Sequence, residues 1–125
     1  MSRTVLVIDD DCLVLDTAEM LLRDLGFRVW RATNGAEGLA CFLAAPPDLV
    51  LADLIMPERE GIETIQAMRR LRPDARIVAM SGGGAIGREW VLDMATKLGA
   101  DRALAKPFDS ADLSAVIRQA MADAR

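Results

Sequence analysis

The chain contains no histidine, so no step that needs an imidazole base, nucleophile or metal ligand can be its own. Cysteine is nearly as scarce. Cys12 and Cys41 stand alone, without the paired spacing of a zinc site or a disulfide framework, which favours a reducing compartment. No apolar stretch approaches the roughly 20 residues of a membrane span, and the first strand is expected within a few residues of the start, leaving no room for a secretory leader. A net charge of −4 lacks the basic excess that marks nucleic-acid binders. The basic run Arg69, Arg70 and Arg72 falls at a helix C-terminus, where cations complement the dipole. A binding patch is the competing reading of those three. Linkers, internal repeats and low-complexity segments are missing too, so the 125 residues are expected to form one domain, 1–125, with no output domain.

What the chain does contain is alternation. Short apolar runs alternate five times with longer amphipathic segments. Strands are expected at 4–8, 28–32, 48–52, 75–80 and 102–105, the second near a sheet edge because of its mixed polarity. Helices are expected at 12–25, 35–44, 61–71, 88–98 and from 110 almost to the end. Asp10 or Asp11 would cap the first, Gly26 would end it, and Asp109 with Asp112 would form a capping box on the last. Alternating strands and helices imply parallel pairing with right-handed crossovers. The fold class is therefore α/β, a doubly wound five-stranded parallel sheet with five flanking helices.

Four of the apolar runs end on residues that handle phosphate and metal. Val5–Ile8 runs into Asp9 and Asp10, Leu49–Ala52 into Asp53, Ile77–Met80 into Ser81, and Ala103–Ala105 into Lys106. In a parallel sheet these side chains converge at the carboxyl edge, where open α/β sheets bind ligands. Asp9, Asp10 and Asp11 in succession would repel one another unless a cation neutralised them. One of them can be spent as a helix cap. Asp53 can be read as the opening of a turn, or as a carboxylate nucleophile that takes up a phosphoryl group. A metal ion, a lysine and a hydroxyl around one carboxylate supply the positioning and charge neutralisation such a transfer needs.

The set Val7-Ile8-Asp9-Asp10, Asp53 with Met56-Pro57 and Gly61, Met80-Ser81-Gly82, Gly99-Ala100-Asp101 and Lys106-Pro107-Phe108 resembles the receiver domain of bacterial two-component response regulators, over essentially the whole chain. The resemblance implies a flavodoxin-like strand order, 2-1-3-4-5. It implies that Asp53 takes a phosphoryl group from a phosphohistidine on a histidine kinase or phosphotransfer protein. It further implies Mg²⁺ held by Asp10, Asp53 and the backbone carbonyl of Ile55, with Asp9 acting through water. Ser81 would hydrogen-bond the phosphoryl group and Lys106 would pair with it, next to a cis Lys106–Pro107 bond. A downstream protein would meet the face made by the fourth helix, fifth strand and fifth helix. The protein would be cytoplasmic, monomeric or weakly dimeric, and a switch rather than a turnover enzyme.

Two positions depart from that pattern. The family places an aromatic switch residue three positions before the lysine, and here stands Ala103. The stretch after Ser81 holds Gly82, Gly83, Gly84 and Gly87 and exceeds the family norm by about three residues; no P-loop signature follows it. Trp30 reads as packing, and Trp90 reads equally as core or as a partner contact. Two other functions compete. In a haloacid-dehalogenase-type phosphatase, Asp9 would be the nucleophile and Asp11 the general acid, which leaves Asp53 without a task. In a phosphorylation-independent interaction module the site would be vestigial.

Overall fold

The apolar runs become five parallel strands in a single sheet. The computed structural model describes residues 3–54, 60–82, 93 and 97–123. In chain order the elements are β1 (Thr4–Ile8), α1 (Cys12–Asp24), β2 (Arg28–Ala32), α2 (Gly35–Ala44), β3 (Leu49–Asp53), α3 (Glu60–Leu71), β4 (Ile77–Gly82), β5 (Arg102–Lys106) and α4 (Ser110–Ala122). The strand order is β2-β1-β3-β4-β5, the expected doubly wound arrangement, with β2 at an edge.

Four helices are described where five were expected. The segment expected as a helix at 88–98 lies almost wholly outside the described residues, and within it only Asp93 and Lys97 are described as helical. The three later strand ends also differ from expectation. Asp53 and Lys106 are the closing residues of β3 and β5, and Ser81 is the last but one of β4, rather than the residues just beyond the strands. The register explains this: Asp53 stands opposite Met80, Ser81 opposite Ala105 and Gly82 opposite Lys106, so pairing continues through the polar positions.

Side chains alternate across each strand, so each of the three central strands feeds two cores. Leu6, Ile8, Val50, Ala52, Ile77 and Ala79 pack with Phe42 of α2 and with Ile65 and Met68 of α3. Val5, Val7, Leu51, Val78 and Met80 pack with Leu15, Ala18 and Leu22 of α1 and with Leu113, Val116 and Ile117 of α4. Trp30 is packing, half-buried at the margin of the first core. Trp90 lies outside the described residues.

Local chemistry sets the helix ends. Asp11, not Asp10, caps α1, its Oδ1 accepting the Leu13 N–H at 2.9 Å. Gly26 follows with φ +95°, a conformation only glycine adopts without strain. Asp109 and Asp112 form the full capping box on α4, with bonds of 2.8 and 3.1 Å.

The arginine run is structural where its contacts are described. Arg69 donates to the carbonyls of Gly99, Pro73 and Ala75 and to the carboxylate of Asp101. Its guanidinium thus ties the end of α3 to the lead-ins of both β4 and β5. Arg72, just past the end of α3, lies 5.4 Å from the centroid of the Phe42 ring, a cation–π contact with α2.

Candidate functional site

The carboxyl edge of the sheet gathers an acidic trio under one ammonium group. Carboxylate oxygens of Asp9, Asp10 and Asp53 lie within 4.8 Å of one another. Asp9 is fully buried, Asp53 is 5% exposed, and Asp10 opens to solvent. Lys106 reaches from β5 over the intervening strands and donates to Asp9 Oδ2 at 2.6 Å, with Asp53 Oδ2 at 3.4 Å. Burial alone would lower the Lys106 pKa. The hydrogen bond to Asp9 and the charges of Asp53 and Asp9 outweigh it and hold the ammonium above its ordinary value.

The backbone fixes these groups. The Asp9 N–H bonds to the Ala32 carbonyl at 3.1 Å, and the Leu54 N–H bonds to the Met80 carbonyl at 2.8 Å. At the start of α3, Gly61 lies so close to the carbonyls of Asp53 and Leu54 that a Cβ would collide with both. Glycine is what allows that helix to start against the end of β3. Ser81 is buried at the end of β4, its hydroxyl donating to the Gly82 carbonyl at 3.2 Å. The Lys106–Pro107 peptide is cis, as the resemblance implied.

The run Asp9-Asp10-Asp11 divides into three tasks, where the resemblance had implied different metal roles for Asp9 and Asp10 and the cap was left open between Asp10 and Asp11. Asp9 is the counter-ion of Lys106 and accepts the Asp11 N–H at 2.9 Å, Asp11 is a cap, and Asp10 is the exposed carboxylate. Ile55, Met56, Pro57, Gly83, Gly84 and Gly87 lie outside the described residues, so the expected carbonyl ligand and the loop after Gly82 have no description here. Ala103 stands beside Ala79 on the α2–α3 face of the sheet, partly buried in that core.

The donor set suits a hard divalent cation. Mg²⁺ takes oxygen ligands, one or two of them carboxylates, and fills its remaining positions with water or phosphate oxygens. Three clustered carboxylates, one of them open to solvent, meet that description.

The sequence reading missed an apolar pocket next to this edge. Leu13, Val14 and Thr17 of α1, with Pro107, Phe108 and the stem of Lys106, line a cavity of about 280 Å³. Leu13 is 75% exposed. The signal was present, since Leu13 falls off the Leu15-Ala18-Leu22 stripe and has no core to enter.

Residues 5–118 match the model of the response regulator receiver domain. The chain belongs to the response regulator receiver domain family. It is 34% identical over 112 residues to the photosynthetic apparatus regulatory protein RegA of Cereibacter sphaeroides, covering 90% of this chain and 59% of that protein. It is 32% identical over 109 residues to the chemotaxis protein CheY of Thermotoga maritima, covering 86% of this chain and 88% of that one. The receiver thus spans about three fifths of RegA and most of CheY. Among solved structures, the CheY-like receiver domain from Methanospirillum hungatei superposes with a TM-score of 0.84 at 28% identity, covering 97% of this chain and 94% of that one. A receiver domain from Clostridium thermocellum gives 0.83 at 30% identity, covering 95% and 94%.

Proposed function

We propose that this receiver accepts a phosphoryl group on Asp53 from a phosphohistidine of a histidine kinase or phosphotransfer protein, with Mg²⁺ bound at the acidic edge. The observation that carries this reading is the placement of Lys106. A buried strand-end carboxylate has an ammonium group at 3.4 Å and two further carboxylates within 4.8 Å. In the transfer, the P–N bond to the partner's imidazole breaks and a P–O bond to Asp53 forms, the imidazole keeping the electron pair. Bound Mg²⁺ would neutralise charge on the phosphoryl oxygens. The clustered carboxylates of Asp9, Asp10 and Asp53 would hold it, with Asp10 and Asp53 as direct ligands, the Ile55 carbonyl as a third protein ligand and Asp9 at one remove, as the family resemblance implies. Lys106 offsets the charge that remains, and the Ser81 hydroxyl turns to the phosphoryl group.

The partner meets the pocket beside the site. Its apolar lining by Leu13, Val14, Pro107 and Phe108 suits an amphipathic helix that brings its phosphohistidine over Asp53. Output passes to a downstream protein through β5, α4 and the segment between β4 and β5. Ala103 offers no ring for the family's aromatic relay, so output depends on other groups of that face. The receiver is read as cytoplasmic and as monomeric or weakly dimeric. The sequence holds no helix of membrane-spanning length and apolarity among its described residues.

The phosphatase alternative is disfavoured by burial. Its nucleophile would be Asp9, which lies at 0% exposure beneath Lys106, and its general acid would be Asp11, which is occupied as a cap. Incubation with Mg²⁺ and acetyl phosphate, followed by locating the acyl phosphate, tests the reading. Labelling at Asp53 that is lost in Asp53→Asn is expected. Turnover that survives Asp53→Asn and fails in Asp9→Asn would establish the phosphatase, and no labelling would favour an interaction module.

A further inference from the structure

α2 is apolar on nearly every side. Of its ten residues only Glu37 carries charge, and beyond it the residues that reach solvent most are Ala40, Leu43 and Ala44. A helix that is apolar all round is ordinarily buried, yet Leu43 is 51% exposed. α3, its neighbour on the same face of the sheet, leaves Leu71 53% exposed. The 5.4 Å contact between Arg72 and Phe42 sets these two leucines at the same end of the helix pair, since each is the chain neighbour of one of its members. Charge on this face is divided along the helices. α2 and α3 each follow a strand of the parallel sheet, so both begin at the carboxyl edge and run the same way. Exposed Glu37 and Glu63 stand near their starts, and exposed Arg70 stands near the end of α3 with Arg72 just beyond it. Among the described residues, neither Glu63 nor Arg70 has an ion-pair partner within the chain.

We infer that the α2–α3 face is an interface between two copies of this chain, related by a two-fold axis that runs across the helices. Such an axis reverses helix direction, so each helix lies antiparallel on its own counterpart. Glu63 of one copy then meets Arg70 of the other, and the contact occurs twice. Each Leu43 enters the recess between Ala36 and Ala40 on the α2 of the second copy. A contact of this kind uses the same patch on both sides and must therefore be its own complement. This face meets that condition, because acid and base stand at opposite ends of one surface, and so do projecting leucine and recessed alanine. That self-complementarity favours a second copy over an unrelated protein as the occupant. α1, α4 and the pocket of Leu13 and Phe108 lie on the opposite face of the sheet, so the pairing leaves them open.

Sedimentation equilibrium of the unaltered chain, Leu43→Glu, Arg70→Glu and the double variant Glu63→Arg with Arg70→Glu tests this. Two thin helices a side make a small interface, so the unaltered chain should dimerise with a dissociation constant of roughly 0.1–1 mM. Leu43→Glu should weaken the dimer by at least about tenfold, because each dimer carries the buried charge twice. Arg70→Glu should weaken it by roughly fivefold, the scale of exposed ion pairs. Adding Glu63→Arg exchanges the two signs and should return the affinity to within about threefold of the original. All three positions are exposed, and urea midpoints near that of the unaltered chain would show that the variants fold. A chain that stays monomeric up to about 1 mM would overturn the inference. A dimer that Leu43→Glu and Arg70→Glu both leave intact would also overturn it, placing the contact on another face such as that of β5 and α4. A double variant as weak as Arg70→Glu alone would overturn the antiparallel pairing, and with it the two-fold arrangement inferred.

Discussion

Gly61 and the Asp53 carbonyl are in such close contact that no side chain fits between them. The first turn of α3 is thereby seated on the peptide that follows Asp53, the proposed phosphoacceptor, and the helix registers the position of β3's last residue. Gly61→Ala would force helix and strand apart. The expected cost is about 1–3 kcal/mol, the range for overpacking in a well-packed site. Urea unfolding measures it. The same variant should label more slowly with acetyl phosphate. An unchanged labelling rate would show that the seat of α3 does not set the geometry of Asp53.

Arg69 and Asp101 make the second close dependence. The pair spans 3.0 Å, is mostly buried, and its carboxylate also accepts the Ile77 N–H at 2.8 Å. Removing Arg69 takes the guanidinium's charge from that carboxylate and its donors from three backbone carbonyls. Arg69→Met should destabilise the fold by about 2–4 kcal/mol, since breaking one side of a buried pair leaves the other uncompensated. A double-mutant cycle with Asp101→Asn should give a coupling energy above about 1 kcal/mol.

Asp11 should behave as a cap and nothing more. Asp11→Ala is expected to cost about 1 kcal/mol in unfolding free energy, and Asp11→Asn only a few tenths, because asparagine caps as well as aspartate. Neither should prevent labelling of Asp53. Loss of activity in Asp11→Asn would restore the phosphatase reading, in which this residue is the general acid.

Acid should weaken one surface clamp. The hydrogen bond from Arg102 holds the Asp123 carboxyl below its ordinary value, joining the end of α4 to β5. A carboxylate with a depressed folded-state pKa contributes stability above its unfolded pKa and loses it as pH falls through the folded value. The stability difference between the unaltered chain and Arg102→Ala should therefore be constant near neutrality and vanish as pH falls through the depressed folded-state value. The pair is exposed, so high salt should shrink the same difference at pH 7. Denaturation curves at several pH values and two salt concentrations check both.

Leu13 should separate folding from recognition. At 75% exposure it contributes little to the core, so Leu13→Glu should leave stability within about 0.5 kcal/mol. Labelling by acetyl phosphate, which needs no docking, should be unchanged. Phosphotransfer from a cognate kinase should slow by at least tenfold if the charge removes about 1.4 kcal/mol of docking energy. Equal rates would place the kinase elsewhere.

Much of this was legible before any coordinates. Short apolar runs located the strands, amphipathic segments located most helices, and Gly26 marked the end of the first helix. Strand ends were harder. Asp53, Ser81 and Lys106 read as loop residues because they are polar, yet each is hydrogen-bonded into the ladder by its register with a neighbouring strand. The arginine run was ambiguous for a related reason. A guanidinium that satisfies a carbonyl 30 residues away looks in one dimension like any surface charge.

The amino-acid sequence by itself determined which chemistry the carboxyl edge could hold. Residue type decides that Asp, Ser and Lys can serve phosphate and metal, and local periodicity decides that they end parallel strands. Only the tertiary structure decided how those groups divide the work. Asp9, Asp10 and Asp11 are chemically identical and adjacent, so nothing local separates them. Burial beneath a lysine 97 residues away, exposure to solvent, and the first turn of a helix made one a counter-ion, one an open carboxylate and one a cap.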